Sequence, residues 1–373
     1  MTVILLIRQL AIGGAERQVV SLARELKVMN FDVRVAVFYD GGVLESELIK
    51  SGIPIIFLQK SGRSDIHSFA LNFLRVIRKH RPSIIYSFLT GPNLCALIAR
   101  LRFPHQTIFW GIRASANDRI LRQNDLVVRF SYWLSMRLAA LPDLIITNSE
   151  SSKASLIAQG VRPQQIAIVN NGVDLNRFRR DPKKRLSFRA SLGIDESTLL
   201  IGMVARIDPV KDHGTFIAGV EEFLQEYPHT VFLVIGDGDP EYVAQLKKLS
   251  SKYPIAGSLI WAGEQQDMVS VYNALDVNSL TSTSESFPNA LVEAMACGVL
   301  CVSSDVGDAK LIIEDPNLIF QVGDVHALVQ AWKYALAVRA GPNFSLSHTV
   351  NRVRSRYSQQ KMAADTVHLF PQI

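Results

Sequence analysis

Two glutamates eight residues apart, Glu285 and Glu293, flank a segment of the sequence that can bind phosphate. Between them, Pro288 suits the first turn of a helix because its missing N–H would have no partner there. Gly298 suits the position just after the end of that helix. The first N–H groups of a helix are free to bind an anion, and the helix dipole favours negative charge there. The spacing therefore predicts a phosphate-binding helix with one carboxylate ahead of it and another about one turn inside.

Carboxylates repel phosphate, so these two acids need a ligand that also carries hydroxyl groups. A nucleoside diphosphate sugar has a ribose on one side of its diphosphate and a second sugar on the other side. We therefore predict that this segment binds such a ligand. The alternative is that Glu293 is an ordinary helix glutamate favoured by the dipole and that Glu285 is a helix-capping acid.

Two basic residues, Arg206 and Lys211, bracket a proline-containing turn after a predicted strand, Leu199–Val204. Fixed cations at the carboxyl end of a strand can neutralise a diphosphate leaving group. The alternative is a surface turn with two solvated side chains.

The segment after the first predicted strand contains Arg8 and Gly13-Gly14. Glycines allow backbone N–H groups to approach a ligand closely, although an ordinary tight turn would also explain them. The segment lacks the G-x-G-x-x-G fingerprint of dinucleotide-binding proteins, which argues against a nicotinamide-dependent oxidoreductase.

Apolar, β-branched segments alternate with helical patterns along the whole chain, which favours parallel sheets joined by crossover helices. The stretch from Asn176 to Arg189 is rich in Arg, Lys and Pro and is predicted to be a linker or polar connection. The final helical pattern runs from Thr349 to about His368. We predict two doubly wound α/β domains, residues 1–175 and 176–357, whose ligands bind at the carboxyl ends of the strands.

Composition limits the class of protein. A chain of 373 residues with 48% hydrophobic and 20% charged residues is typical of soluble globular domains and not of a disordered chain. It has no apolar run near the roughly 18 to 20 residues that span a bilayer. The apolar start, Met1–Ile7, lacks the basic region and cleavage site of a signal peptide. Three cysteines without metal-ligand spacing favour a reduced, cytoplasmic setting.

Positive charge is concentrated in the first part of the sequence. Residues 1–175 contain 21 Lys and Arg against 12 Asp and Glu, a net of +9, whereas the remainder contains 19 against 22, a net of −3. This asymmetry favours a surface that faces an anionic partner, although solvated helix faces would also explain it. Residues 119–137 mix Arg with Trp, Tyr and Phe, as does a helix lying on an anionic bilayer; a core-facing aromatic stripe is the alternative. No nucleic-acid-binding motif is present.

Taken together, these segments resemble glycosyltransferase family 4, a group of retaining enzymes. The most specific match is the E-x7-E pattern from Glu285 to Glu293, followed by residues 294–298. The supporting matches are Asn171–Asp174, the Arg206 and Lys211 pair, Gly236–Gly238 and Ser304–Gly307. The resemblance runs from Gly13 to the last helix. It implies a GT-B fold, in which two Rossmann-like domains face each other across a cleft and a C-terminal helix, here about 358–373, crosses back to the N-terminal domain.

The resemblance also implies roles for individual residues. Arg206 and Lys211 would hold the donor diphosphate, Glu293 would bind the ribose hydroxyls, and Glu285 would contact the donor sugar. Arg206, Lys211 and Glu285 form the predicted catalytic set. The other predicted donor-binding positions are Gly14, Gly236, Glu264, Gln265, Ser286, Phe287, Pro288, Asn289 and Ala290.

The sequence departs from the family at one position. Many members carry a histidine near the reacting sugar, but the comparable stretch here, Phe109–Ser115, has none. Arg113 is expected to act there on the donor or acceptor, and Asn171 is assigned to the acceptor. Retaining transfer in this family is usually pictured as front-face attack assisted by the leaving phosphate. Asp237-Gly238-Asp239 superficially matches a metal-binding D-x-D, but we interpret it as a strand-end turn and expect neither metal nor other cofactor.

We expect a hexosyl- or N-acetylhexosaminyl-transferase that uses a UDP-sugar. Its acceptor would be a glycan or a polyprenyl-diphosphate-linked sugar in the synthesis of surface polysaccharide or lipopolysaccharide. The enzyme would be cytoplasmic and could rest on the inner face of the plasma membrane. A nucleotide-sugar epimerase of the same architecture and a non-catalytic nucleotide-sugar-binding protein are the alternatives.

Overall fold

A computed structural model describes residues 1–11, 13–62, 65, 67–113, 125–255, 257–341 and 346–371. The chain divides into two compact units. The first comprises Met1–Gly172 together with Gln359–Ile373, and the second comprises Val173–Ser358. The last segment of the chain therefore belongs to the first unit.

Each unit is built on a parallel sheet. The first sheet has the strand order β3-β2-β1-β4-β5-β6-β7, and the second has the order β10-β9-β8-β11-β12-β13. The strands are β1 (Thr2–Ile7), β2 (Asp32–Val37), β3 (Ile55–Phe57), β4 (Ile84–Phe88), β5 (Thr107–Ile112), β6 (Leu144–Thr147), β7 (Ile166–Ile168), β8 (Leu200–Val204), β9 (Val231–Ile235), β10 (Leu259–Gly263), β11 (Val277–Leu280), β12 (Leu300–Ser304) and β13 (Ile319–Phe320).

Helices connect the strands, as parallel pairing requires. They are α1 (Gly14–Val28), α2 (Glu45–Lys50), α3 (His67–His80), α4 (Thr90–Arg102), α5 (Leu126–Arg137), α6 (Glu150–Ala158), α7 (Pro182–Ser191), α8 (His213–Leu224), α9 (Pro240–Ser250), α10 (Met268–Ala274), α11 (Asn289–Ala296), α12 (Ala309–Ile313), α13 (Val325–Ala340), α14 (Leu346–Arg356) and α15 (Gln359–His368). Single 3-10 turns lie at Pro163–Gln165, Pro209–Lys211 and Pro316–Leu318.

Alternating side chains of the first sheet bury its two faces against different helices. Leu5 packs with residues of α1, α2 and α15, whereas its neighbour Leu6 packs with residues of α3 and α4. Side chains alternate between the two faces of a strand, so a continuous apolar run such as β1 indicates a strand that is covered on both faces. No helix in the described parts of the chain is long and apolar enough to cross a membrane.

In both sheets, the strand order reverses beside the first strand of the unit. The reversal lies between β1 and β4 in the first sheet and between β8 and β11 in the second. Ligands of open α/β sheets bind outside the carboxyl ends of the strands at such a point. The predicted fold, with two doubly wound α/β domains, is confirmed. The sites should therefore be sought in the loops that follow these strands.

The expected linker after Asn176 is wrong in its second half, which forms α7. Asp181 caps this helix by accepting a hydrogen bond from the Lys184 N–H, and Pro182 occupies the first turn, where proline is tolerated. Arg189 on α7 is buried and lies 3.5 Å from the Asp276 carboxylate. The basic residues that indicated a solvated linker therefore include Arg189, which holds α7 against the rest of the second unit.

The single terminal helix that we expected from Thr349 is two helices, α14 and α15. They are interrupted at Tyr357 and Ser358, where Ser358 pairs with Val173 in a parallel bridge. The interruption coincides with the boundary between the two units. A periodicity of 3.6 residues does not reveal such a break because each side of it satisfies the same pattern.

Candidate active site

Lys211 and Glu285 meet at the reversal point of the second sheet. Lys211 lies in the loop after β8 and Glu285 in the loop after β11. The Lys211 Nζ atom is 2.5 Å from the Glu285 Oε1 atom, and the Ser282 hydroxyl donates to the same oxygen at 2.8 Å. The side chains of the ion pair are 23% and 13% exposed. The pair is thus partly sheltered yet open to a ligand.

Backbone geometry holds Lys211 in place. Asp208 caps the turn Pro209–Lys211 by accepting from the Val210 N–H at 3.0 Å. Asp212 follows in the left-handed conformation, with φ of 48°, and caps α8. The Thr281 hydroxyl donates to the Asp212 carbonyl at 2.8 Å, which joins the loop after β11 to the loop after β8. Both partners of the ion pair are therefore supplied by loops that are bonded to each other.

Arg206 lies in the same loop but is not joined to Glu285. Its guanidinium donates to the Asp208 carboxylate at 2.8 Å, and its side chain is 47% exposed. The predicted catalytic set is therefore divided between a sheltered Lys211–Glu285 pair and a half-exposed arginine.

Helix α11 begins at Asn289, and Pro288 lies just ahead of it and not in its first turn. Pro288 has extended ψ and occupies the N-cap position, and Asn289 is the first helical residue. The helix ends as expected, because the Val299 N–H donates to the Ala294 carbonyl in the bond typical of a glycine-terminated helix. Glu293 lies one turn inside, Glu285 lies ahead of the helix, and the predicted positions Ser286, Phe287 and Ala290 lie in or beside its first turn.

Phe287 contributes to the core with its side chain. Phe287 is 5% exposed, and its ring centroid lies 5.5 Å from that of Tyr357 in an edge-to-face arrangement. The Phe287 side chain therefore packs in the core and is not presented to a ligand.

Glu293 has a partner that sequence reasoning missed. The hydroxyl of Tyr272, on α10, donates to the Glu293 Oε2 atom at 2.9 Å. Burial, together with the charge of Glu293, raises the pKa of Tyr272 well above its usual value, so this hydroxyl stays protonated. Tyr272 is 21 residues away on another helix, and no pattern in the sequence links the two positions.

Two glycines allow loops to approach each other behind the site. Gly236, after β9, has φ of 138°, and a Cβ atom there would lie 1.9 Å from the Ala205 carbonyl oxygen. Gly307, after β12, has φ of 53°, and a Cβ atom there would lie 2.5 Å from the Ser286 carbonyl oxygen. Any other residue at either position would displace the loops that carry Arg206 and Glu285.

The predicted donor-binding residues Glu264 and Gln265 follow β10. Glu264 is exposed, and the Gln265 amide donates to the Ala262 carbonyl at 2.6 Å. Gly236 donates its N–H to the Gly263 carbonyl at 2.9 Å, so the ends of β9 and β10 are adjacent. Gly236, Glu264 and Gln265 therefore lie at one edge of the sheet.

The two aspartates of the Asp237-Gly238-Asp239 sequence accept hydrogen bonds from main-chain N–H groups. Asp239 caps α9, accepting from the Glu241 and Tyr242 N–H groups at 3.1 Å, and Asp237 accepts from the adjacent Gly238 N–H. Among the described residues, no three His, Cys, Asp or Glu side chains form a group that could hold a metal ion.

The remaining predicted residues lie in the first unit. Gly14 is the exposed first residue of α1, beyond β1. Arg113, after β5, donates to the Asn171 Oδ1 atom at 2.5 Å and to the Tyr86 hydroxyl at 3.3 Å, and its guanidinium stacks 5.3 Å from the Phe88 ring centroid. The structure thus brings Arg113 and Asn171 together. Ala114 and Ser115 lie outside the described residues, as does the 119–124 part of the basic aromatic stretch.

Comparison with known proteins decides the family. Residues 12–177 match Glycosyltransferase Family 4, and residues 184–343 match Glycosyl transferases group 1. The chain belongs to the GT4-type glycosyltransferases. The recognition of this family from the Glu285–Glu293 pattern is confirmed.

Several solved structures share the fold over nearly the whole chain. Anabaena Alr3699/HepE in complex with UDP matches with a TM-score of 0.84 and 19% identity, covering 99% of both chains. Its complex with UDP-glucose matches with a TM-score of 0.81 and 20% identity, covering 99% of this chain and 98% of that one. WaaG, a glycosyltransferase of lipopolysaccharide biosynthesis, matches at 0.71 and 13%, covering both chains fully. These similarities confirm the GT-B fold.

The relatives whose names state an activity match only part of this chain and part of their own length. The D-inositol 3-phosphate glycosyltransferase of Segniliparus rotundus is 29% identical over 52% of this chain and 43% of its own length. An Escherichia coli enzyme, UDP-Gal:alpha-D-GlcNAc-diphosphoundecaprenol alpha-1,3-galactosyltransferase, is 22% identical over 70% of this chain and 68% of its own. The chain spans about half the length of most of the curated relatives it matches.

Proposed function

We propose that this protein transfers a sugar, with retention, from a UDP-sugar to a glycan or polyprenyl-diphosphate-linked acceptor. The observation that carries the proposal is the Lys211–Glu285 pair at the reversal point of the second sheet, directly ahead of α11. A cation beside a helix N-terminus suits a diphosphate. A carboxylate held by Ser282 suits sugar hydroxyls. These are the two chemical features that a nucleoside diphosphate sugar presents side by side.

Different residues of the second unit would bind the diphosphate, the ribose and the base of the donor. Lys211 and Arg206 would neutralise the diphosphate, and the N–H groups at Asn289 and Ala290 would bind its oxygens. Glu293, oriented by Tyr272, would accept hydrogen bonds from the ribose. The base would lie beside Gly236, Glu264 and Gln265. In the first unit, we assign Gly14 to donor binding and Arg113 with Asn171 to the acceptor.

In the proposed reaction, the bond between the anomeric carbon and the phosphate oxygen breaks while the acceptor oxygen bonds to the same face of that carbon. The acceptor hydroxyl gives its proton to the departing phosphate oxygen, and the products are UDP and the extended acceptor. Lys211 would favour this step because negative charge on the phosphate increases as the bond breaks, and a fixed cation stabilises that charge.

The choice of UDP and of a lipid-linked acceptor is supported by relatives. HepE was crystallised with UDP and UDP-glucose, and the Escherichia coli enzyme acts on a sugar linked to diphosphoundecaprenol. A role in lipopolysaccharide or other surface polysaccharide synthesis, on the cytoplasmic side of the membrane, follows from that acceptor class. The donor could be a hexose or an N-acetylhexosamine.

The function can be tested by incubating the protein with a panel of UDP-sugars and a short-chain polyprenyl-diphosphate sugar. Release of UDP together with an extended acceptor supports the proposal, and the anomeric configuration of the product tests retention. Isomerisation of the donor sugar without acceptor would indicate an epimerase. Binding without UDP release would indicate a non-catalytic binding protein. Activity that persists in EDTA is expected, because Lys211 and Arg206 take the place of a metal at the diphosphate.

A further inference from the structure

The helices α3, α4 and α5 cover one face of the first sheet and carry no acidic residue. Their inner sides pack on the sheet through Phe73, Ala96 and Ala99, and α4 contacts both α3 and α5. The sequence from residue 66 to residue 117 contains seven Lys and Arg and no Asp or Glu, and α5 adds two arginines. The helices α1 and α2, on the other face, carry both signs of charge.

The outer side of α5 exposes aromatic and aliphatic side chains. Phe130 and Trp133 are 60% and 51% exposed, and their rings stack with centroids 5.6 Å apart. Leu126 and Arg137 extend the same helical face, and the Arg137 guanidinium lies 5.4 Å from the Trp133 ring centroid. Large apolar side chains at this spacing form a stripe that faces away from the core. The core-facing alternative for this aromatic stretch is therefore wrong at Phe130 and Trp133.

A basic pocket lies between α3 and α4. It has a volume of about 590 Å³, and its lining combines apolar side chains with four arginines. Among the described residues, none of these four arginines forms an ion pair with a carboxylate, and Arg75 bonds only to the neutral amide of Asn72. The pocket lining includes Leu71, Leu74, Arg75, Arg78, Arg81 and Arg102. Leu101 lies on α4 next to Arg102 and is 87% exposed.

We infer that this face, which we call the α3–α4–α5 face, docks on a bilayer that contains anionic phospholipids. Trp and Phe prefer the boundary between headgroups and acyl chains, and arginine can keep its stem in the apolar layer while its charge reaches phosphate. The pocket between α3 and α4 would receive a lipid phosphate. The charge complementarity favours a bilayer over a second copy of this chain, because two such faces would repel each other.

The inference deepens the proposed function, since a lipid-linked acceptor would be presented at the same membrane. Only the presentation of a lipid-linked acceptor rests on the proposed function. The aromatic and basic residues of the face are not those proposed to bind the donor. Vesicle binding and donor binding can therefore fail separately.

The test is cosedimentation of the full chain with phosphatidylcholine vesicles, with and without phosphatidylglycerol. We expect binding to the anionic vesicles alone, weakened by salt. The pair of changes Arg75→Glu and Arg78→Glu should lower the partition coefficient by roughly 10²-fold, since each basic residue near an anionic surface contributes about fivefold and reversal adds repulsion. The pair Phe130→Ser and Trp133→Ser should lower it by at least about tenfold, through lost apolar burial.

A matched control reverses two charges on the opposite face of the same unit, with Arg24→Glu on α1 and Lys50→Glu on α2. Both side chains are exposed, and the change in net charge is the same. Donor-induced thermal stabilisation by UDP-glucose should be unchanged in all three variants, which establishes that they fold. Equal loss of binding in the control, full binding in the aromatic variant, or a wild-type dimer that only the aromatic variant dissociates would each overturn the inference.

Discussion

Removing the Lys211 ammonium is the most informative perturbation of the proposed site. The ammonium is 2.5 Å from the Glu285 carboxylate and 23% exposed, so it is fixed beforehand where the leaving diphosphate would develop charge. Loss of one preorganised group of this kind costs about 10²–10³ in kcat, or about 2.7–4 kcal/mol. We therefore expect Lys211→Ala to lower the rate of UDP release by that factor.

The variant should remain folded. The Thr281 and Thr283 contacts that hold this loop go to main-chain carbonyls of residues 210–212, which the substitution leaves in place. Lys333→Ala is a matched control, because Lys333 is 20% exposed and also forms a 2.5 Å ion pair, with Glu226, elsewhere in the second unit. The assay is the initial rate of UDP release at saturating UDP-sugar and acceptor. A kcat for Lys211→Ala equal to that of the control would refute the role of Lys211.

Three further predictions concern the supports of the site. Glu293→Gln should weaken UDP binding by roughly 10- to 100-fold and Tyr272→Phe by roughly fivefold in calorimetry, because the first removes the charge that binds the ribose and the second removes only the hydrogen bond that orients Glu293. Gly236→Ala should lower the free energy of unfolding in urea by at least about 2 kcal/mol, because alanine is strained at φ of 138° and its Cβ meets a carbonyl; no measurable loss would contradict the backbone there. Burial lowers the pKa of His213 from 6.5 to about 4, so folding favours the neutral imidazole. The free energy of unfolding should therefore be highest above pH 6.5 and should fall by about 3 kcal/mol as the pH drops to 4. A His213→Leu variant should lose this pH dependence.

The sequence predicted the fold well because the central strands, such as β1, β8 and β9, are mostly buried and appear as continuous apolar runs. It predicted poorly where a local pattern has two explanations. The basic segment before Arg189 has the composition of a linker, but Asp181 and Pro182 are also the signals of a helix start. The burial of Arg189 against Asp276 depends on residues far apart in sequence.

The candidate site was predictable in its main-chain parts and less so in its side-chain partners. The glutamate spacing and the glycines reflect local geometry, so they can be read from adjacent residues. The pairing of Lys211 with Glu285 joins residues 74 positions apart, and that of Tyr272 with Glu293 joins different helices. Such pairs depend on the order of strands in the sheet, which the sequence does not state directly.

The central claim is that the second unit binds a nucleoside diphosphate sugar through Lys211, Glu285 and Glu293. The most direct test is calorimetric titration of UDP and UDP-glucose into the wild-type chain and into a variant with both Lys211→Ala and Glu293→Ala. We expect saturable binding to the wild type and at least a roughly 10²-fold loss of affinity in the variant, since charged hydrogen bonds to both groups are removed. Absence of binding by the wild type to any nucleoside diphosphate sugar, or equal affinity in the variant, would contradict it.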